Sequence, residues 1–134
     1  MVLNRQSANE FDSDSFEVTQ LPRLQDIDNL RQNIKSLLQE FKQELTALYG
    51  SNLMNLVLYG SYARHEETEG SDIDVLVVLE ECSPIDEILK MGDAKTKVLL
   101  EYGELVSVVP VSQNAFFYKD SPLLRNVRQE GILV

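Results

Sequence analysis

The apolar residues of the chain follow a helical spacing in one long segment and form short continuous runs elsewhere. Residues 24–49 carry apolar side chains at steps of three and four, which predicts one amphipathic helix. Asp26 and Asp28 suit its start, where the helix dipole favours negative charge, and Gly50 suits its end. We expect the apolar stripe to pack on a sheet, with a coiled-coil-like subunit contact as the alternative. The stripe consists of Ile27, Leu30, Ile34, Leu37, Leu38, Phe41, Leu45 and Leu48.

Three short apolar runs predict β-strands. Residues 54–59 and 75–79 are rich in Val and Leu and are bounded by glycine or charged residues, which is typical of strands buried on both faces. Residues 105–111 form the third run. We expect this strand to lie at a sheet edge or to end at Pro110, because proline has no N–H to donate to a neighbour.

A second helix is predicted between the second and third strands. Ser83-Pro84 is a favourable helix start, the helix extends to about residue 101, and Gly103 suits its C-terminal cap. Gly92 is expected to weaken or kink it. The predicted apolar face consists of Ile85, Ile88, Leu89, Met91, Val98, Leu99 and Tyr102.

The C-terminal segment contains an aromatic cluster, a short helix and an apolar tail. Residues 116–118 are predicted as a loop that contacts the core or a partner, and a base-stacking platform is less favoured because few basic residues surround them. Ser121-Pro122 begins a short helix that Gly131 ends. Residues 132–134 are expected to pack on the core or to extend a sheet edge.

Together these elements predict one domain of the α+β class. We expect a two-layer α/β arrangement in which helices pack on one face of a small mixed β-sheet. At 134 residues the chain can enclose a single core. Residues 1–20 are polar and acidic without periodicity, so they are predicted to be a flexible segment before a domain of residues 21–134, with a short arm that packs on a partner as the alternative.

The charge composition indicates which classes of ligand and partner the protein is expected to bind. The net charge of −10 comes from 22 acidic and 12 basic residues. Nonspecific nucleic-acid binding depends on Lys and Arg that neutralise phosphates, so the charge disfavours a template-reading polymerase or an RNA-tailing enzyme. It favours a small nucleotide carried with magnesium, and a basic protein partner.

The expected location is the cytoplasm, with no membrane association. No apolar stretch has the length of a membrane span, and the N-terminal residues lack the layout of a signal peptide. Cys82 is the only cysteine and permits no internal disulfide, which fits a reducing compartment. It has no Cys or His neighbour at metal-ligand spacing.

The turn after the first strand is one half of a candidate nucleotide site. Gly60 has no Cβ, so the backbone can turn sharply or approach a ligand closely there. Ser61 is a favourable N-cap for a short helix through Arg64, and free N–H groups at a helix start attract phosphate oxygens. We therefore expect Gly60 and Ser61 to bind a polyphosphate.

Asp72 and Asp74 form the other half of the site. Residues two apart in a strand point to the same face, so two carboxylates lie side by side at the opening of an apolar strand. Unpaired, they repel each other and are costly to bury. Magnesium removes this cost, since it typically binds one or two carboxylates together with substrate phosphates and water. The two halves predict a site for Mg²⁺ and a nucleoside triphosphate.

These two halves resemble the signature of the polymerase-beta-like nucleotidyltransferase superfamily. Within it, the chain looks like the minimal nucleotidyltransferases (MNT) that occur beside a small helical HEPN protein in toxin–antitoxin pairs. The resemblance is strong over residues 54–80 and weaker towards the C-terminus. The matching residues are Gly60-Ser61-x-Ala63-Arg64 and, after seven intervening residues, Asp72-x-Asp74.

The resemblance implies a nucleotidyltransferase fold and a Mg²⁺-dependent, adenylyltransferase-like activity. ATP would donate AMP to a hydroxyl acceptor on a HEPN-like helical partner, so that the chain acts as an antitoxin; homo- and hetero-oligomers both stay open. Two of the nucleotide-binding assignments have alternatives. Arg64 could be an ordinary surface residue, and Ser71 could only shape the turn. The implied nucleotide-binding residues are Gly60, Ser61, Arg64 and Ser71, and the implied catalytic and metal-binding residues are Asp72 and Asp74.

Two positions depart from the family pattern. His65 stands where the signature has glycine, and we interpret it as a loop residue because no orienting partner is evident. The family's third carboxylate is expected on the following strand, where the best register places Ser107, which neither binds a cation strongly nor acts as a base. Glu104 lies an odd number of residues away, so only a bulge or a position before the regular strand would let it substitute.

The missing carboxylate supports a second hypothesis, from another functional class. The chain would then be a non-catalytic, nucleotide-binding regulatory subunit that neutralises its partner by occlusion. A small-molecule nucleotidyltransferase is less favoured, because such enzymes usually carry an additional helical domain.

Overall fold

The computed structural model describes residues 16–134, with a four-stranded mixed sheet at its centre. β1 is antiparallel to both of its neighbours, whereas β2 and β3 are parallel. The predicted strands and the α+β class are confirmed. β3 is an edge strand, as Pro110 indicates, and the apolar tail forms the opposite edge. In the spatial order β3-β2-β1-β4, the strands are β1 (Leu53–Tyr59), β2 (Ile73–Leu79), β3 (Val106–Ser112) and β4 (Ile132–Leu133).

Helices cover both faces of the sheet, and the prediction that they pack on one face is wrong. α1 and α3 share a core with Leu56 and Leu58 of β1, whereas α4 and α5 share a second core with Val57. Successive strand residues point to opposite faces, so the two cores lie on opposite sides of β1. The helices are α1 (Gln32–Tyr49), α2 (Pro84–Lys90), α3 (Gly92–Tyr102), α4 (Gln113–Tyr118) and α5 (Pro122–Glu130).

α1 begins at Gln32, and the prediction of a start near residue 24 is wrong. Leu24–Asp26 forms a separate 3₁₀ turn, because the chain before α1 pairs with the sheet edge. The Leu133 N–H donates to the Pro22 carbonyl at 2.8 Å. The predicted end is confirmed by Gly50 at φ +56°, and the middle of the apolar stripe is buried.

The second predicted helix is two helices, α2 and α3, which meet at Met91 next to Gly92. The predicted apolar face is wrong for α2, where Ile85 and Leu89 are 76% and 75% exposed. Glu87 is buried instead. Its carboxylate accepts hydrogen bonds from the Ser83 N–H at 3.0 Å and from the Tyr49 hydroxyl at 3.1 Å, which orients α2 with its polar side inward.

Residues 116–118 belong to α4, so the prediction of a loop is wrong and that of a core contact is confirmed for Phe116. The Ser112 hydroxyl accepts a hydrogen bond from the Ala115 N–H at 3.1 Å and caps the helix. α5 begins as predicted, because the Ser121 hydroxyl accepts from the Leu124 N–H at 3.2 Å.

The N-terminal side of the domain packs on the same core. The Phe16 ring lies edge-on to the Phe116 ring, with 5.7 Å between their centroids. Residues 16–20 of the segment predicted to be flexible are thus part of the folded domain, and residues 1–15 lie outside the described residues. Over the described part of the chain, no helix combines the length and apolar character needed to cross a membrane.

Candidate functional site

The turn after β1 brings the backbone around Gly60 into a closed loop. Gly60 has φ +79°, a conformation that glycine adopts without steric cost. The Arg64 N–H donates to the Gly60 carbonyl at 3.1 Å, and the Glu66 N–H donates to the Ser61 carbonyl at 2.8 Å. Residues 61–65 form a single turn, so the predicted short helix from Ser61 is wrong. The Ser61 hydroxyl makes no hydrogen bond within residues 16–134 and is available to a ligand.

Gly60 lies directly against Asp74, which joins the two halves of the motif. Tyr59 and Asp74 are cross-strand partners of β1 and β2. A Cβ at position 60 would overlap the Asp74 Oδ2, so any other residue would displace that carboxylate. The glycine is required for close approach as much as for its positive φ.

Asp72 and Asp74 form a carboxylate pair in which Asp74 is partly buried and Asp72 is exposed. Asp74 lies in β2, and Asp72 lies one residue before its start. Burial is the main cause that raises the pKa of Asp74, the Asp72 charge raises it further, and Arg64 lowers it. Neither carboxylate accepts a hydrogen bond or joins an ion pair with another residue of 16–134. Arg64 acts on Asp74 without a direct contact, so the repulsion between the two carboxylates is only partly offset.

This donor set fits a magnesium ion that keeps part of its coordination for water and substrate. Two adjacent unpaired carboxylates match the one or two that Mg²⁺ usually takes from a protein in nucleotide sites. Nowhere in residues 16–134 do three or more Asp, Glu, His or Cys side chains gather at metal-ligand geometry. Any remaining ligands would thus come from phosphate oxygens and water.

Ser107 occupies the position next to the carboxylate pair on β3. The parallel register places it opposite Asp74. Glu104 is directed to another part of the molecule, where its carboxylate lies 3.9 Å from Arg31 Nη2. There burial is the largest cause that raises the pKa of Tyr62, a residue of the core under α1, and the charge of Glu104 is the second cause. Glu104 therefore does not replace the missing carboxylate.

Ser71 and Arg64 make contacts within the loop that connects the two halves. The Ser71 hydroxyl accepts a hydrogen bond from the Thr68 N–H at 2.9 Å, which supports its turn-shaping role. Arg64 lies between two acids: Nε is 3.0 Å from Glu66 Oε1, and Nη1 is 3.0 Å from Glu130 Oε2. It also lowers the pKa of Asp74, so it lies within electrostatic range of that carboxylate.

Glu130 is a residue of this site that the sequence pattern missed. The same Oε2 atom that contacts Arg64 accepts a hydrogen bond from the Gly60 N–H at 2.9 Å. Glu130 is the last residue of α5, 70 positions after Gly60. No local motif links the two positions, so only the tertiary structure brings them together.

His65 has φ +58° and is the one non-glycine residue with positive φ among residues 16–134. It belongs to the turn, is exposed, and forms no side-chain hydrogen bond with the described residues. The loop assignment is confirmed. The turn keeps the left-handed conformation that glycine would favour, although histidine occupies the position.

The fold and the motif geometry agree with the comparison to known families. Residues 30–133 match the family model of the nucleotidyltransferase domain. The chain belongs to the nucleotidyltransferase domain family. This match covers the sheet, helices α1 to α5 and both halves of the motif, and it leaves out residues 1–29 and residue 134.

Similar proteins of Methanocaldococcus jannaschii support this nucleotidyltransferase assignment. "Putative protein adenylyltransferase MJ0604" is 35% identical over 100 residues, which cover 74% of this chain and 95% of that protein. "Putative protein adenylyltransferase MJ0141" is 32% identical over 76 residues, or 57% of this chain and 77% of that protein. A crystal structure of a toxin–antitoxin with AMP-PNP aligns with a TM-score of 0.49 at 20% identity, covering 69% of this chain and 68% of that one.

Proposed function

We propose that this nucleotidyltransferase domain is a Mg²⁺-dependent adenylyltransferase that moves AMP from ATP to a hydroxyl group of a protein. The observation that carries the proposal is the contact of Gly60 with Asp74, with Asp72 adjacent and both carboxylates unpaired. The relatives named as protein adenylyltransferases support AMP as the transferred group and a protein as the acceptor.

Each half of the motif has a separate task in this reaction. The Ser61 hydroxyl and Arg64 bind the triphosphate through charge-assisted hydrogen bonds, and Ser71 keeps the connecting loop in shape. Asp72 and Asp74 would hold Mg²⁺, which would neutralise part of the triphosphate charge as the α-phosphate is attacked.

The acceptor hydroxyl forms a bond to the α-phosphorus, and the bond to the leaving pyrophosphate breaks. The hydroxyl proton passes to solvent water, because Ser107 offers no base beside the site. Arg64 holds the triphosphate in line for this displacement. This reaction needs only two anchored carboxylates, and a partner that presents its hydroxyl.

We propose a HEPN-like helical protein as this partner, on the basis of the MNT-like motif. The chain has an excess of acidic residues, with a net charge of −10, which suits a basic protein surface better than nucleic acid. Modification of the partner would neutralise it, so the chain would act as an antitoxin. Either a simple pair or a larger hetero-oligomer fits this role.

The decisive experiment is label transfer from [α-³²P]ATP to the co-expressed HEPN-like protein in the presence of Mg²⁺. Wild-type protein is expected to label the partner. Asp74→Asn is expected to reduce labelling by at least about 10²-fold, because it removes one of two ion ligands. Glu69→Gln, an exposed acid of the connecting loop, is the matched control and should label normally.

One observation favours a second function, that of a non-catalytic regulatory subunit that binds nucleotide. Ser107 stands beside Asp74, and Glu104 is held near Arg31, so the site lacks a third acid. In that case the chain would form a stable complex with the partner and silence it without transferring label. Asp74→Asn would then leave silencing unchanged, which separates occlusion from catalysis.

A further inference from the structure

The carboxylate of Glu130 connects two elements of the nucleotide site that are separate in the sequence. One oxygen, Oε2, accepts both the Gly60 N–H at 2.9 Å and the Arg64 Nη1–H at 3.0 Å. Its side chain is 22% exposed, against 64% for Glu66, the other acid bound to Arg64. The Glu66 hydrogen bond is the largest cause of the raised pKa of Arg64 and the Glu130 charge is the next, so both acids hold Arg64. Glu130 differs from Glu66 in that it is less exposed and also binds the Gly60 N–H.

The end of α5 is built to place Glu130 at this point. β4 pairs only with Val57 and Leu58 of β1, so the sheet offers no backbone acceptor to the Gly60 N–H. Gly131 lets the chain pass close to β1, since a Cβ there would lie 2.5 Å from the Val127 carbonyl oxygen and 2.6 Å from Val57 Cγ1. The carboxylate thus takes the place of a missing strand partner.

Arg64 is held between Glu130 and Glu66 rather than against the carboxylate pair. Because Arg64 still lowers the pKa of Asp74, its guanidinium lies within electrostatic range of the place where the triphosphate and Asp74 meet. A long arginine side chain loses considerable entropy when it is fixed, and Glu130 fixes it before the ligand arrives. Preorganisation of this kind raises affinity.

We propose that Glu130 is a positioning residue of the nucleotide site, which fixes the Gly60 turn and directs Arg64 towards the triphosphate. The proposal rests on the proposed nucleotide-binding function. Glu130 acts through Arg64 and the Gly60 backbone and does not itself touch the substrate. Arg64 offsets part of its negative charge, which reduces its repulsion of the phosphates.

The test measures the affinity of the full chain for α,β-methylene ATP with Mg²⁺ by calorimetry. Glu130→Ala removes both hydrogen bonds and is expected to weaken binding about tenfold. Glu130→Gln keeps an acceptor for the Gly60 N–H but loses the charge, and about a threefold loss is expected. Glu69→Gln, which changes an exposed acid of the same connecting loop, is the control and should stay within about twofold of wild type.

A double-mutant cycle with Arg64→Ala separates positioning from a purely structural role. Because Glu130→Ala also removes the Gly60 hydrogen bond, adding it to Arg64→Ala should weaken binding by about threefold, against about tenfold in the wild-type background. Melting temperatures of the unliganded variants report structural damage. A Glu130→Gln variant that melts like wild type but binds less tightly supports positioning.

Three results would overturn the proposal: unchanged affinity in Glu130→Ala, additive losses in the cycle, or tighter binding without the carboxylate. The last result would identify Glu130 as an internal competitor of the phosphates. Failure of the wild-type chain to bind the analogue at all would instead overturn the proposed nucleotide-binding function, and this inference with it.

Discussion

At the scale of single residues, two positions in and next to the site depart from the family pattern in ways that predict measurable effects. Ser107 faces Asp74 across a regular parallel pair, without the bulge that would bring another acid there. His65 keeps a left-handed backbone at φ +58°. One departure concerns chemistry and the other backbone conformation, so the two can be tested independently.

Ser107→Asp should increase label transfer. An aspartate at this position would add a third carboxylate beside Asp74, able to bind Mg²⁺ and to accept the proton of the attacking hydroxyl. We expect the rate of transfer from [α-³²P]ATP to rise by about tenfold or more. Ser107→Asn, which is similar in size but is neither charged nor basic, is the control. Equal rates for the two variants would show that the missing acid does not limit turnover.

His65→Gly should stabilise the protein. Glycine adopts positive φ without the steric cost that a Cβ imposes, and part of this gain is offset by its greater freedom in the unfolded chain. We expect the free energy of unfolding, measured by urea titration, to rise by about 0.5 kcal/mol. His65→Ala keeps the Cβ and should show no gain. An equal increase in both variants would contradict the backbone explanation.

At the scale of elements, α2 shows how one buried carboxylate sets the orientation of a helix. Glu87 is bound by the Ser83 N–H and the Tyr49 hydroxyl, with Lys90 Nζ at 3.7 Å from its Oε1. These contacts lower the pKa of Glu87, the Ser83 hydrogen bond having the largest effect. The ionised carboxylate therefore holds α2 to α1, while Ile85 and Leu89 stay exposed.

Glu87→Gln should lower the stability of the protein at neutral pH, and it should make that stability less dependent on pH in the acidic range. Because the pKa of Glu87 is lower in the folded state than its usual 4.5, its contribution is present above that value and is lost as the pH falls through the folded pKa. We expect a loss of about 1 kcal/mol in urea unfolding at pH 7, which shrinks below about pH 4. Asp86→Asn, on the exposed side of α2, should change neither.

At the scale of the whole molecule, the sheet separates two helical layers and leaves the carboxylate pair at one end of β2. The α1–α3 layer holds the larger core, and the α4–α5 layer supplies Glu130 to the Gly60 turn. Ligand binding at the turn therefore engages β1, β2 and α5 together. Unfolding of any of these elements would break the site, so ligand binding is linked to global stability.

ATP with Mg²⁺ should raise the melting temperature of the wild-type protein by several degrees. A ligand at 100 times its Kd stabilises the folded state by about 2.7 kcal/mol. Asp74→Asn should show no such shift, because it loses an ion ligand. Its unliganded form should melt no lower than wild type, because one of the two repelling charges is gone. Differential scanning fluorimetry measures both effects. A full ATP shift in Asp74→Asn would contradict the role assigned to this residue.

The sequence by itself determined the strands, the C-terminal helix and both halves of the motif. These features depend on local physics: continuous apolar runs predict buried strands, Ser-Pro pairs start helices, and Gly60 and Asp74 belong to a signature of fixed spacing. The position of Ser107 opposite Asp74 also followed from simple strand register, and the structure confirms it.

Only the tertiary structure decided where α1 starts, which side of α2 is buried and which acid supports the site. Pairing of the chain near Pro22 with β4 overrides helical periodicity before Gln32. The hydrogen bond from the Tyr49 hydroxyl to Glu87 turns the polar side of α2 inward, whereas the sequence pattern predicted an apolar side there. Glu130 reaches Gly60 across 70 positions. Each of these contacts joins segments far apart in the chain, and periodicity reports only on neighbours within a few residues.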